Sequence, residues 1–200
     1  MNDKTKNKTK LKPGTLLAPL PVALVSCGSM EQPNLITVAW TGICCSAPPM
    51  TYVSIKPQRF SHDLIAQSGS FAINLVNRSL AWATDWCGVK SGRDFNKFEE
   101  MHLTAVPSDA LCCPMVAESP LSLECKVVQT LPLGSHDMFL AEIVGVYADA
   151  ALMDENGRLM LDRADLVSYS HGEYFSLGDK LGSFGHSVMK EKTKRRKGLL

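Results

Sequence analysis

The segment Asn34–Ser61 constrains the fold more than any other part of the chain. Its first half, Asn34–Pro49, is rich in small and hydroxyl-bearing residues, and Thr51–Ile55 is a run of aromatic and β-branched residues that is typical of a strand. We therefore predict a strand, a loop and a second strand. A cationic turn, Lys56–Arg59, follows, and Ser61 is a suitable N-cap for a helix that begins there.

The same segment has the residue types of a ligand site. Small side chains let a flat ligand lie against backbone amides. The candidate contacts of the first strand are Thr37, Val38, Ala39, Trp40 and Thr41. The cations Lys56 and Arg59 follow, and then the Ser61 hydroxyl and the backbone amides at the N-terminus of the predicted helix. Together they offer the positive charge and the hydrogen-bond donors that bind a phosphate group. A surface for a planar ring beside a phosphate-binding turn indicates a mononucleotide ligand such as a flavin. The residues alone also permit a core strand followed by an ordinary surface turn.

Length and composition favour one globular domain. The chain has 200 residues, of which 45% are hydrophobic and 20% charged, with a net charge of +1. We therefore expect no nucleic-acid partner. No stretch approaches the roughly 20 apolar residues of a membrane span, and prolines interrupt the apolar run near the N-terminus, so we expect a cytoplasmic protein. Residues 1–12 are predicted to be a flexible arm, 13–189 the domain, and 190–200 a solvated basic tail, although a basic tail can also bind nucleic acid or membranes.

Seven cysteines occur, and two pairs of them are adjacent in sequence. An odd count without any Cys-x-x-Cys spacing favours reduced thiols over a disulfide framework and gives no basis for a metal site. We expect buried, inert thiols. The alternative is a redox-active thiol at Cys44 or Cys45, which lie in the predicted ligand loop.

The rest of the chain predicts many strands and a few short helices. Predicted strands are Leu20–Ser26, Phe71–Val76, Met115–Glu118, Leu121–Thr130 and Met138–Tyr147. Predicted helices are Ser61–Ser68, Ser79–Cys87 with Ser79 as its cap, and Phe95–Met101 with Asp94 as its cap. This pattern indicates a β-barrel with helical additions. The absence of a Gly-x-Gly-x-x-Gly motif argues against a Rossmann site.

An ordered set of short motifs resembles a known family. The motifs are Pro21–Val25, Asn34–Trp40, Pro48–Pro49, Arg59–Ser61, Phe71–Asn74, Ser91–Phe98, Leu123–Lys126 and Gly134–His136. Together they resemble the flavin reductase-like or flavoredoxin family of FMN-binding split-barrel proteins, over roughly Pro19–Gly182. The resemblance implies a mostly β fold with short helices, an FMN-binding split β-barrel formed by a single domain, and a homodimer.

The resemblance also implies roles for individual residues. Arg59 and Ser61 match the position where the family grips the FMN phosphate, and Asn74 matches a motif that lies near the flavin. Ser91, Arg93 and Lys97 belong to a loop that would close over the flavin or its phosphate. His136 would face the substrate near the nicotinamide entry, although this chain has Gly-Ser-His where the family often has Gly-Asp-His. Each residue also has an alternative without a ligand. Asn74 can simply end a strand, the loop with Ser91, Arg93 and Lys97 can be a charged surface loop, and His136 can be a solvated side chain.

Three functions follow as expectations. The first is hydride transfer from NADH or NADPH to FMN by a flavin reductase. The second is a flavoredoxin-type electron carrier that a partner protein reduces. The third is a binding barrel without redox activity. The sequence predicts no catalytic side chain, because hydride transfer to a flavin needs no side-chain nucleophile.

Overall fold

The computed structural model describes residues 7–190, and most of its regular structure is strand. Its strands are β1 (Leu20–Pro21), β2 (Ala23–Gly28), β3 (Pro33–Val38), β4 (Thr41–Ser46), β5 (Pro49–Ile55), β6 (Ser70–Leu75), β7 (Ala105–Pro107), β8 (Pro114–Val116), β9 (Leu121–Pro132), β10 (Asp137–Ala148), β11 (Val167–Ser170) and β12 (Glu173–Ser176). Its α-helices are α1 (Phe60–Ser68), α2 (Ala81–Val89) and α3 (Lys97–Glu100). Short 3-10 turns occur at Arg78–Leu80, Ala150–Leu152, Leu161–Arg163 and His186–Val188. This architecture confirms the prediction of a mostly β fold with short helices.

Seven strands form the main sheet, in the order β3-β2-β6-β9-β10-β5-β4. All neighbouring strands in this sheet are antiparallel. The strands β1, β11 and β12 form a second sheet, and β7 pairs with β8. The predicted hairpin of β9 and β10 is confirmed, with Tyr147 opposite Ser122. Among residues 7–190, no helix is long and apolar enough to cross a membrane.

The core lies on both faces of the central strands. Successive residues of β2 enter two different clusters: Val25 packs with Phe71 and Phe139, whereas Leu24 packs with Leu35. This alternation follows from the two-residue period of a strand that is buried on both sides. Helix α1 contributes buried side chains to the first cluster, and α2 and α3 contribute to the second. The two clusters therefore fix the helices on either side of the sheet.

The segment predicted as a loop after the first strand contains another strand. Residues Thr41–Ser46 form β4, which pairs with β5 and places Gly42 opposite Tyr52. The chain bends at Ala39 and Trp40, before β4, and turns again at Ala47 and Pro48, between β4 and β5. The Thr41 hydroxyl donates to the Tyr52 carbonyl at 2.6 Å, so the small residues interpreted as a loop instead support a tight hairpin.

Three predicted helix caps are also corrected. Arg59 occupies the N-cap position of α1, and Ser61 lies inside the helix. The cap before α2 is the side chain of Asn77, which accepts from the Leu80 amide, rather than Ser79. The cap of α3 is Asn96, which accepts from the Glu99 amide, rather than Asp94. Asn and Asp are about as good as Ser at this position, so several neighbouring residues were equally suitable and propensity could not separate them.

Candidate functional site

A groove of about 380 Å³ runs along the end of β3 and past the turn between β5 and α1. Seven residues predicted from the sequence line it: Thr37, Val38, Ala39, Trp40, Lys56, Arg59 and His136. Two core residues, Val22 and Ile36, also line the groove. Ile36 belongs to the first apolar cluster and Val22 to the second. The groove therefore opens where the two parts of the core meet.

The close packing of α2 on β3 shapes one wall of the groove. The Thr37 hydroxyl donates to the Thr84 carbonyl of α2. A Cβ added to Gly88 would lie 3.2 Å from the Thr37 Cβ, which is closer than packed side chains usually approach. Gly88 therefore lets the helix lie against the strand, and its bare backbone forms part of the groove.

Two flat side chains stand at the other end of the groove. The rings of Trp40 and His136 are parallel within 3°, with centroids 6.3 Å apart. Trp40 is 40% exposed, which leaves a large aromatic face available. The Trp40 carbonyl accepts from the Ser54 amide at 2.9 Å, which fixes the bend that presents the ring. A planar ligand in this groove would meet aromatic surfaces of matching shape.

A second cavity, of about 170 Å³, shares Ile36 and Arg59 with the groove. It brings together most of the predicted phosphate-binding residues: Arg59, Ser61, Ser91, Arg93 and Lys97. These residues come from the β5–α1 turn, from α1, from the loop before α3, and from the first residue of α3. We call this space the anion cavity, because three of these residues are cations.

Four cations line the anion cavity, and they differ in how far they are already paired. Lys90 is exposed, and its Nζ atom lies 5.5 Å from the centroid of the Phe95 ring. The Arg93 guanidinium donates to the Gln58 carbonyl and to Asp63, each at 3.0 Å. Lys97 donates to the Cys87 carbonyl at 2.7 Å. Arg59 is exposed and has no side-chain hydrogen bond or ion pair within residues 7–190. Of the three cations predicted from the sequence, Arg59 is therefore the most available to an anionic ligand.

Lys97 is buried, with 3% of its surface exposed. Its pKa is lowered to about 8, mainly by burial and in part by Arg59, while the Cys87 and Cys27 thiols act in the opposite direction. Burial also raises the pKa of each of these two thiols to about 11. The thiols therefore stay neutral near pH 7, and an anion in the cavity would compensate for the burial of the ammonium group.

The Ser61 hydroxyl is oriented by Asn34. The Asn34 amide nitrogen donates to the Ser61 oxygen at 2.7 Å, which fixes the position of this hydroxyl group in the wall of the anion cavity. The carbonyl oxygen of Asn34 is buried and has no hydrogen-bond partner among the described residues. A Cβ on Gly92 would lie 1.9 Å from this oxygen. Only glycine therefore lets the loop before α3 close against Asn34.

Two predicted site residues lie elsewhere. The Asn74 side chain is fully buried; it donates to the Leu24 carbonyl at 2.9 Å and accepts from the Val116 amide at 2.9 Å. Its hydrogen bonds thus hold the sheet together and leave nothing for a ligand, which corrects the prediction of a direct role. Thr41 bonds Tyr52 and does not line the groove. Both are polar residues at strand ends, where structural and ligand-binding roles look alike in sequence.

The groove also contains residues that the sequence reasoning missed. Asp85 lines it, and the Tyr174 hydroxyl donates to Asp85 at 3.2 Å. Burial, together with this carboxylate, raises the pKa of Tyr174 to about 12. Asp85, Gly88 and Val89 share one face of α2, a periodicity that the sequence does show. Tyr174 and its strand partner Tyr169 are distant in sequence and gave no such signal.

The cysteines are free thiols, but they are less uniformly buried than predicted. Cys27, Cys87, Cys113 and Cys125 are buried, Cys45 is intermediate, and Cys44 and Cys112 are exposed. Cys44 and Cys45 lie on β4 and do not line the groove.

Residues 16–178 match the family described as the flavin reductase like domain. The chain belongs to this family. A flavoredoxin of Desulfovibrio vulgaris (Miyazaki F) is 29% identical to it, with a TM-score of 0.84 over 91% of this chain and 100% of that chain. An FMN-binding domain of a flavin reductases-like enzyme from Shewanella baltica is 25% identical, with a TM-score of 0.72 over 82% of this chain and 88% of that chain.

One similar protein is named as an enzyme. An NADPH-flavin oxidoreductase of Streptomyces viridifaciens is 26% identical over 70% of this chain and 74% of its own length. The family match and the structural neighbours confirm the predicted split-barrel fold and the predicted family. The membership supports an oxidoreductase-type flavoprotein and leaves the electron donor open.

Proposed function

We propose that the protein binds FMN with its ring in the groove and its phosphate in the anion cavity, and that it transfers hydride from NADH or NADPH to this flavin. One observation carries the proposal: the groove and the anion cavity meet at Arg59 and Ile36. A site for a planar ring is thereby adjacent to a site for an anion, as FMN requires, because its ring and its phosphate are at opposite ends of one molecule.

The residues present fit FMN in size and chemistry. The groove volume of about 380 Å³ lies within the range of small-molecule sites. Arg59 supplies a planar fork of donors for a phosphate dianion, and Ser61 adds an oriented hydroxyl. Ala39 and Gly88 leave room for a ring to approach backbone groups. The loop that contains Gly92 lines the same cavity and would help to hold the phosphate.

When bound, FMN would supply the hydride-accepting and electron-donating chemistry. This chain's residues would bind and orient it. The backbone of Val38–Trp40, which lines the groove, would bind the polar edge of the ring, while Trp40 and His136 would limit access at the end of the groove. Asp85 would accept hydrogen bonds from hydroxyl groups between the ring and the phosphate. No side chain needs to act as a nucleophile.

Two electron donors remain to be distinguished. The similarity to an NADPH-flavin oxidoreductase supports a nicotinamide nucleotide as the donor. The similarity to a flavoredoxin, at a TM-score of 0.84, supports the second candidate, an electron carrier that a partner protein reduces. Both candidates use the same FMN site, and they differ in what delivers electrons to it.

We also propose a homodimer. Large apolar side chains are exposed on three strands of the main sheet: Ile43 on β4, Val128 on β9, and Val144 and Val146 on β10. Exposed apolar surface of this kind is typical of a protein interface. Multi-angle light scattering of the purified protein would decide the oligomeric state, and a monomer at micromolar concentration would contradict this part of the proposal.

The test is an FMN titration followed by anaerobic reduction. We expect added FMN to bind tightly and give a yellow protein with flavin absorbance near ~450 nm. Bleaching by NADH or NADPH at a catalytic rate supports the reductase. Bleaching only by a reduced redox protein supports the carrier. A protein that takes up no FMN contradicts both and leaves a non-redox binding barrel.

A further inference from the structure

A hydrogen bond between side chains connects α1 to the hairpin between β9 and β10. The Nε2 atom of His62 lies 2.8 Å from Asp137 Oδ2, and the two side chains are only 15% and 21% exposed. His62 follows Ser61 in α1, and Asp137 is the first residue of β10. The pair therefore joins the helix of the anion cavity to the strand that follows the hairpin tip.

His136 lies at the hairpin tip and lines the groove. Leu133, at the tip, is 62% exposed, and its amide donates to the His136 carbonyl at 2.9 Å. Gly134 has a φ of 96°, a left-handed conformation that glycine adopts without strain. Asp137 lies directly beside His136, so any side-chain bond of Asp137 also restrains the histidine that lies parallel to Trp40.

His62 is itself held in one orientation. Its ring packs edge-on against Phe139 of β10, with centroids 5.1 Å apart. Its Nδ1 atom is buried without a hydrogen-bond partner among the described residues and lies 3.6 Å from Asp63, which pairs with Arg93. Asp137 therefore provides the only short polar contact of the imidazole ring within residues 7–190.

From this geometry we infer that His62 is a positioning residue: through Asp137 it holds His136 across the mouth of the groove and so controls the entry of a flat heteroaromatic reactant. The identity of that reactant as the nicotinamide ring rests on the proposed function, whereas the positioning of His136 does not. The hairpin tip lies outside the anion cavity, which His136 and Asp137 do not line. His136 also lines the groove that we propose for the FMN ring, but FMN would keep its phosphate contacts in the anion cavity. Loosening the tip should therefore affect the second reactant more than FMN.

The variants separate a lost hydrogen bond from lost packing. His62→Leu keeps an apolar side chain against Phe139 but removes the bond to Asp137. His62→Gln places an amide nitrogen close to the position of Nε2 and should restore the bond. Asp137→Ala removes the partner. Asp165→Asn is the control, because it removes a distant ion pair of equal length, 2.8 Å to Arg78.

Two measurements on the protein without ligand test the positioning directly. Hydrogen–deuterium exchange of residues 133–137 should become about tenfold faster in His62→Leu and Asp137→Ala, and should stay near the wild-type rate in His62→Gln and Asp165→Asn. Carbethoxylation of His136 by diethyl pyrocarbonate, followed by peptide mass spectrometry, should accelerate in the same two variants. Unchanged exchange and labelling in Asp137→Ala would overturn the inference.

The FMN-loaded protein tests the consequence for entry. We expect the KM for the nicotinamide nucleotide to rise about fivefold in His62→Leu and Asp137→Ala with little change in kcat, while the Kd for FMN stays within about twofold. A parallel loss of FMN affinity, or an unchanged KM despite faster exchange, would contradict the role in entry. If no nucleotide reduces the bound FMN, the reductase proposal fails, while the exchange and labelling results still decide the positioning.

Discussion

Replacing Arg59 with alanine tests the phosphate assignment most sharply. A hydrogen bond to a charged group contributes about 1.5–3 kcal/mol, which corresponds to a Kd for FMN that is about 10- to 150-fold higher in the variant. Because Arg59 is exposed, solvent and salt screen its charge, and we expect the lower part of this range. Arg93→Ala should have a smaller effect, because Asp63 already pairs with Arg93 at 3.0 Å.

The assay is a fluorescence titration of FMN and, in parallel, of riboflavin, which has the same ring and no phosphate. Arg59→Ala should weaken FMN binding and leave riboflavin binding unchanged. Arg163→Ala serves as a control for an arginine outside both cavities. Equal affinities of Arg59→Ala and the wild type for FMN, or an equal loss of riboflavin affinity, would refute the assignment.

Three further predictions concern Lys97, Gly92 and the thiols. Burial lowers the pKa of Lys97 to about 8 from an ordinary value of 10.5, so the unfolded chain binds one more proton between these values. Stability should therefore rise as pH increases from 8 toward 10.5, by at most about 1.4 kcal/mol per pH unit from this group, and Lys97→Met should remove that contribution in denaturant titrations. FMN affinity should fall over the same pH range in the wild type but not in Lys97→Met. Gly92→Ala should cost about 1–3 kcal/mol of stability and weaken FMN binding, since its Cβ would collide with Asn34 at 1.9 Å; Gly178→Ala, with nothing within 4 Å, is the control, and equal melting temperatures of the two variants would count against the close approach. Thiol labelling of the native protein at pH 8 should modify Cys44 and Cys112 first, because burial raises the pKa of Cys27 and Cys87 to about 11, and early labelling of Cys27 would disprove the packing described.

The strongest parts of the sequence interpretation concern local patterns. The alternation in Leu121–Thr130 and the β-branched run in Thr51–Ile55 predicted β9 and β5, because a half-buried strand imposes a period of two on its residues. The turn with Arg59 was predicted to bind the FMN phosphate, and the loop with Gly92 to close over the flavin or its phosphate. Both line the anion cavity, and their contacts with a ligand stay a prediction. The spacing of these residues left open whether they form a phosphate site or an ordinary surface turn. The resemblance to the family favoured the phosphate site.

The errors concern polar residues whose partners are distant in sequence. Asn74 bonds Leu24 and Val116, and Ser61 bonds Asn34, so the roles of these side chains depend on strand pairing that no local pattern encodes. Tyr174 reaches the groove only because the second sheet places it beside Asp85 of α2. The sequence also did not predict the burial of Lys97, since a lysine in a charged segment usually remains solvated.

The structure of the protein with FMN bound would test the central claim most directly. We expect density for the phosphate between Arg59 and the Ser91–Gly92 backbone, and for the ring along Ile36–Trp40 with one face toward His136. A ring in the separate cavity between Asn34 and Phe95, or a phosphate that leaves Arg59 in solvent, would contradict the account.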